Sequence, residues 1–248
     1  MSTLLLRLAA PLQAWGLESK LDVRRTWNEP SKSAVLGLIA GAMGIRREDA
    51  ESLRKLEERT AFGVRVEQEG TLLQDYHMVR RYKGRGAFLK DEKPTTVYQT
   101  ERYYLCDAVF LAAIEAGEPL LHEIDEALRH PAFPLYLGRR SCPPVPPVSL
   151  GIRPTPLRQT LQEEPWRASE RYRQMWRRLN PNQTVRLRWM ADAQPEDRNT
   201  GVRRDVPLSY DPAWREYAFR KAEEEYIELN AGLENTVHDA MAEVEACT

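Results

Sequence analysis

Leu135-Tyr136-Leu137-Gly138-Arg139-Arg140-Ser141-Cys142, running straight into Pro143-Pro144, is the stretch on which both fold and function turn. Leu135-Tyr136-Leu137 reads as a short strand that stops at Gly138, and the prolines forbid its continuation. Glycine lets a backbone approach another group closely, and two adjacent guanidinium groups offer donors and no acceptor. Such a turn suits phosphates. It equally suits a rigid corner whose arginines pair with carboxylates, so the rest of the chain has to decide.

Taken as a closing strand, this stretch completes a series that begins at the N-terminus. Thr3 to Ala10 alternates, with Leu4, Leu6 and Leu8 on one side and Leu5 and Arg7 on the other. Ser31 is a good N-cap for a helix over Lys32 to Met43, whose Val35, Leu36 and Ile39 recur at helical spacing, and Gly44 closes it. A second helix spans Asp49 to Arg59. Ala61 to Glu69 reads as a strand paired with Leu72 to Tyr82, Val97 to Ile114 as one or two strands, and Pro119 to Arg129 as a helix. The order β-α-β-β-α-β with an insertion is the ferredoxin-like arrangement of an α+β fold.

The insertion, Arg80 to Lys93, mixes cations with Tyr82, Phe88 and glycines, the composition of a single-strand binder. A long hairpin arm is expected there. Beyond the prolines, Ala168 to Leu179 reads as a basic amphipathic helix, and Thr184 to Met190 and Trp214 to Phe219 as strands. Gln194 to Asp205 reads as a polar loop. The expected organisation is a palm over residues 1–142 with the arm at about 82–98, a smaller β-rich region with helices over 143–220, and an acidic helical tail over 221–248.

Composition narrows the function classes. The net charge is −1, yet residues 221–248 set one lysine against eight carboxylates, so the body is mildly basic. A polyanion partner is permitted. No apolar run is long enough to span a bilayer, and the one from Val35 to Ile39 is interrupted by Gly37. Cys106, Cys142 and Cys247 form no ligand cluster, so neither metal nor cofactor is expected and reduced thiols in a cytoplasm fit best. The start, Met1 to Arg7, lacks the basic leader of a signal peptide. Pro30-Ser31-Lys32-Ser33 places N–H groups, hydroxyls and an ammonium at a helix start, which suits a phosphate as well as it suits an ordinary cap.

Five motifs occur in order: residues 6–16 (Leu-Arg-Leu-Ala-Ala-Pro-Leu-Gln-Ala-Trp-Gly), 30–40 (Pro-Ser-Lys-Ser-Ala-Val-Leu-Gly-Leu-Ile-Ala), 75–77 (Asp-Tyr-His), 102–108 (Arg-Tyr-Tyr-Leu-Cys-Asp-Ala) and 136–143 (Tyr-Leu-Gly-Arg-Arg-Ser-Cys-Pro). On these the chain resembles the CasD subunits of type I-E CRISPR surveillance complexes (Cascade), members of the RAMP superfamily. Past Gly151 the resemblance carries nothing.

The resemblance implies an RNA-recognition-like palm with an extended thumb hairpin that binds the 5′ handle of the guide RNA (crRNA). It also implies a cap on a backbone of CasC subunits, contact with the large CasA subunit that recognises the PAM, and so an indirect link to target DNA. In such systems a separate subunit cuts the precursor, so no catalytic residue is expected. The handle pocket would be lined by Gln13, Trp15, Gly16, Ser31, Lys32, Ser33, Arg102, Tyr136, Gly138, Arg139, Arg140 and Ser141. Weaker thumb contacts would come from His77, Arg80, Arg81, Lys83 and Arg85. The alternative is a metal-independent endoribonuclease that processes precursor crRNA, with His77 as base and Arg80, Arg81 or Lys83 facing the phosphorane charge.

Overall fold

The leucine-rich opening forms β1 (Ser2–Ala9) in the computed structural model, which describes residues 1–16, 22–81, 96–181, 183–211 and 214–230. Its alternation divides two cores as expected, with Leu4, Leu6 and Leu8 in the larger and Leu5 in a second on the other side. Short β2 (Leu12–Gln13) and β3 (Val23–Arg24) precede α1 (Lys32–Ala42), α2 (Ala50–Glu58) and β4 (Ala61–Gln68). Ser31 caps α1, accepting the Ala34 N–H, and Gly44 follows its end at φ +76°.

A hairpin of β5 (Thr71–Arg81) and β6 (Thr96–Cys106) comes next, then β7 (Val109–Ala116), α3 (Glu118–Arg129) and β8 (Ser149–Arg153). The chain continues through α4 (Leu157–Glu163), α5 (Glu170–Leu179), β9 (Thr184–Asp192), β10 (Thr200–Tyr210) and β11 (Arg215–Asn230). One seven-stranded sheet runs β10-β11-β9-β4-β7-β1-β8. Within it, β4-β7-β1-β8 is the antiparallel ferredoxin-like order, with α1 and α3 sharing a core against one face.

The other face, which a simple recognition domain leaves open to RNA, is closed. α4 sets Leu157 and Leu161 into a core with Leu5, Leu111, Ala113 and Trp189. α5 and the segment before it pack Trp166, Tyr172 and Trp176 against Val185, Leu187, Ile227 and Leu229. Arg65 holds this cover in place: wholly buried, it pairs with Glu67 at 2.5 Å and donates to the carbonyls of Leu161, Glu164 and Pro165. That face is therefore not available to a ligand.

Five expectations need correction. The closing strand is β8, beyond the prolines, and not Leu135 to Leu137. The Leu137 N–H bonds back to the Cys142 carbonyl at 2.8 Å, which makes 135–142 a loop, and β8 takes the free edge of β1. β5 does not pair with β4. Gly70, at φ +71°, turns the chain away, β5 pairs with β6, and both edges of β4 go to β7 and β9.

Pro143 is also no boundary in hydrogen bonding, because β9 joins β4 and carries β11 and β10 into the same sheet. Thr200 to Asp205, read as loop, belongs to β10. Residues 221–230 are strand where helix was expected, since Ile227 and Leu229 alternate inward from Tyr226 and Glu228. Residues 231–248, and 82–95 of the expected thumb, lie outside the described residues. No helix among the described residues is long and apolar enough to cross a membrane.

Candidate nucleic-acid interface

The loop over 135–142 is pressed onto the segment that follows β2. The Ala14 N–H donates to the Leu137 carbonyl at 3.2 Å, and the Cys142 N–H to the Arg139 carbonyl at 2.9 Å. Gly138 has φ +83°, and a Cβ there would stand 1.6 Å from the Ala14 carbonyl oxygen. The outcome is a fixed exit for Arg139. Its Nη2 donates to the Arg24 carbonyl at 2.9 Å, and its guanidinium lies 4.5 Å from the centroid of the Tyr104 ring. Its Nη1 is enclosed and has no partner among the described residues.

Tyr104 belongs to the β5–β6 hairpin, whose register shows what lies beside it. Leu73 stands opposite Tyr104, Asp75 opposite Arg102, His77 opposite Thr100 and Val79 opposite Tyr98. Opposed residues of an antiparallel pair project from one side, about 5 Å apart at Cβ. β3 runs parallel to β6 and sets Arg24 beside Arg102. One face of the hairpin thus gathers Tyr98, Thr100, Arg102, Tyr104, Asp75 and His77, with Arg139 laid over its base.

The polar groups of this face are unequally satisfied. Asp75 Oδ2 is taken by its strand neighbour, His77 Nε2, at 2.5 Å, and among the described residues Arg102 across the hairpin pairs with no carboxylate. Arg102 Nε and Thr100 Oγ1 are both enclosed without partners. Few side-chain atoms among the described residues are in that condition, and three of them, on Thr100, Arg102 and Arg139, lie here. An enclosed polar group without a partner costs about 1–3 kcal/mol, so three together mark a place where outside acceptors belong. Tyr98 stands half exposed beyond them, free to stack.

Other residues expected in the pocket fall into two groups. Gly16, Arg140 and Ser141 are exposed near the loop, and Tyr136 turns toward the connection after α1, its hydroxyl accepting from Arg47 at 3.2 Å. Gln13 and Trp15, by contrast, are core. Gln13 Nε2 donates to the Leu8 and Ala108 carbonyls, its Oε1 accepts from the indole of Trp15, and Trp15 meets Phe110 edge-on. A buried amide and indole brace the loop and present nothing to a base. His77 lies on the gathered face and Arg80 on the opposite one, where its Nη2 reaches Met78 Sδ. Arg81 ends β5, and Lys83 and Arg85 lie outside the described residues.

The start of α1 needs the plainest correction. A carboxylate already sits there: the Lys32 N–H donates to Asp205 Oδ2 at 2.9 Å. Lys32 Nζ pairs with Glu57 at 2.9 Å and Asp192 at 3.3 Å, and Arg220 bridges Asp192 to Asp205. Ser31 and Ser33 are buried with their hydroxyls 3.2 Å apart. The helix dipole and its cation are spent on docking β9, β10 and β11 against α1. Lys32→Ala is therefore expected to lower stability by about 2–3 kcal/mol, less than a fully buried pair because its partners are partly exposed. RNA affinity at a temperature where the variant is folded should not change; a lost phosphate contact would show as a shallower salt dependence.

The sequence reading left Thr100, Tyr104, Asp75, Tyr98 and Arg24 without roles at this site. The alternation of 98, 100, 102 and 104 was a usable signal for three of them. Arg24, which contributes a carbonyl from a two-residue strand, left none. Burial pushes the thiols of Cys106 and Cys142 up, away from thiolate. Among the described residues no group of His, Cys, Asp and Glu could hold a metal ion.

Comparison with known proteins identifies the family of the chain. The family model described as CRISPR-associated protein (Cas_Cas5) matches residues 3–223. The CRISPR system Cascade subunit CasD of Escherichia coli (strain K12) is 38% identical over 161 residues, covering 60% of this chain and 70% of that protein. Among solved structures, a chain of a CRISPR RNA-guided surveillance complex superposes with a TM-score of 0.73 at 30% identity, over 97% of this chain and 98% of that one. A structure titled a crystal structure of Cas protein superposes at 0.66 with 32% identity, over 92% and 96%.

Proposed function

We propose a function from one premise: this chain belongs to the Cas5 family of CRISPR-associated proteins. It serves as a subunit of a Cascade-type, RNA-guided surveillance complex. There it binds the single-stranded 5′ handle of the guide RNA without cutting it, and caps a CasC backbone beside the large CasA subunit. The observation that carries the binding site is the meeting of three enclosed, unpartnered polar groups with two arginines and two tyrosines on one face of the β5–β6 hairpin.

A single strand offers no groove, so it is held through phosphates and splayed, stacked bases. Arg102 and Arg139 hold phosphates, the second aimed by Tyr104 behind it and by the Arg24 carbonyl beside it. Thr100 gives a hydroxyl to a phosphate or ribose oxygen, and Tyr98 stacks on a base. Arg140 and Ser141, exposed at the loop tip, extend the track. Binding without cleavage fits this face, because strand scission needs both a base and a proton donor. His77 is the one histidine placed here among the described residues, while His122 and His130 lie on and just after α3.

The test is binding of a handle-bearing guide RNA across a salt series. Changing Arg102 and Arg139 together to alanine should weaken binding on the order of 100-fold. Losing two phosphate contacts should flatten the slope of log affinity against log salt by about 1.4. The same incubation without metal should leave the RNA intact on a gel. An unchanged slope rejects the phosphate assignment, and clean cuts lost on His77→Ala reject binding without cleavage.

A further inference from the structure

Resting on that reading of the hairpin face, we propose that Asp75 makes the face selective for a base with an exocyclic amino group, so that the strand held here is also read. The argument begins from a mismatch. Arg102 and Arg139 can only donate, as fits a polyanion. Asp75 is the one carboxylate on the described part of this face, and it repels every phosphate brought near it. It therefore adds nothing to backbone affinity.

Nor is it neutralised by the obvious partner. Arg102 stands directly opposite, yet the carboxylate is held by His77 Nε2 at Oδ2. That bond sets the orientation of the group and leaves Oδ1 with its lone pairs as an acceptor. The face then presents an acceptor beside a donor about 5 Å away, the spacing of opposed strand residues. Adenine, cytosine and guanine each carry an amino group next to a ring or carbonyl acceptor, which meets such a pair. Uracil offers its single N–H between two carbonyl oxygens, and one of them always faces the carboxylate. Asp75 thus touches the ligand and determines specificity, while His77 positions it.

Single-stranded octamers rC8 and rU8 separate this idea from the one beneath it. They carry equal numbers of phosphates and pyrimidine rings, and differ only at the base edge, an amino group beside a bare N3 against a carbonyl beside an N3–H. With the full chain, rC8 is expected to bind roughly 5- to 50-fold more tightly than rU8, the range of one good base-edge contact. Asp75→Ala, a change on an exposed strand, should bring the ratio below about twofold while leaving the salt slope of rC8 unchanged. Equal affinity of the unaltered chain for the two octamers overturns the inference and leaves RNA binding by the face intact. A preference that survives Asp75→Ala also overturns it. Failure of both octamers to show salt-dependent binding overturns the RNA-binding face, and the inference with it.

Discussion

A single methyl group at position 138 is expected to lower the melting temperature of this chain by about 10 °C. Gly138→Ala meets two costs at once. The residue sits at φ +83°, where a side chain is strained by about 1–3 kcal/mol. Its Cβ would also lie 1.6 Å from the Ala14 carbonyl oxygen, and backbone cannot yield as a flexible side chain does. Forcing the two segments apart adds about 1–3 kcal/mol of overpacking and breaks the Ala14-to-Leu137 hydrogen bond. A total of about 3–5 kcal/mol corresponds, at about 2–4 °C per kcal/mol for a chain of this size, to the stated shift. The same displacement carries Arg139 off Tyr104, so RNA affinity should fall even where the variant is folded. A melting temperature within about 2 °C of the parent would refute the steric argument.

Arg65→Ala is expected to be as damaging, through charge. Arg65 and Glu67 are both wholly buried, and removing one partner of such a pair costs about 3–5 kcal/mol. It also strips donors from the carbonyls of Leu161, Glu164 and Pro165, which hold the connection from α4 toward α5. The effect has a pH signature. Burial already pushes the Glu67 carboxyl up, with the Arg65 guanidinium opposing that rise. Without the guanidinium it rises further, and a raised carboxyl favours the neutral form in the fold. Stability of the variant should therefore fall as pH climbs from the ordinary carboxylate range through the raised value. The deficit in chemical denaturation should be larger at pH 8 than at pH 5, and adding Glu67→Gln should recover part of it at pH 8. A deficit independent of pH would mean that the lost carbonyl contacts, and not the orphaned carboxylate, dominate.

How much of this was legible in the sequence depended on the range of the forces involved. Local signals were dependable. Ser31 and Gly44 bounded α1, and the leucines of β1 divided two cores as their alternation said. Long-range pairing was not. Glu223 to Glu228 looks helical by propensity, yet Glu224 pairs with Arg188 and Arg203, and Tyr226 stacks under Arg186, so β11 forms. Nothing near Lys32 announces that its anion is Asp205, far along the chain. At the candidate site, Arg102 and Arg139, both named from the motifs, lie at the same β5–β6 face. The roles of Gln13 and Trp15 were missed because an amide or indole looks the same in a sequence whether it braces a loop or meets a ligand.

The place of β4 in the sheet has a consequence for how the chain is made. Its neighbours are β7, which follows soon after it, and β9, which begins only at Thr184. Until that later strand has left the ribosome, one side of β4 is an open row of N–H and C=O groups. The buried arginine on it meanwhile lacks the carbonyls of 161–165 on which it closes. Such an edge invites pairing with another nascent chain. A product released before Thr184 is accordingly an aggregation seed and not a smaller RNA binder.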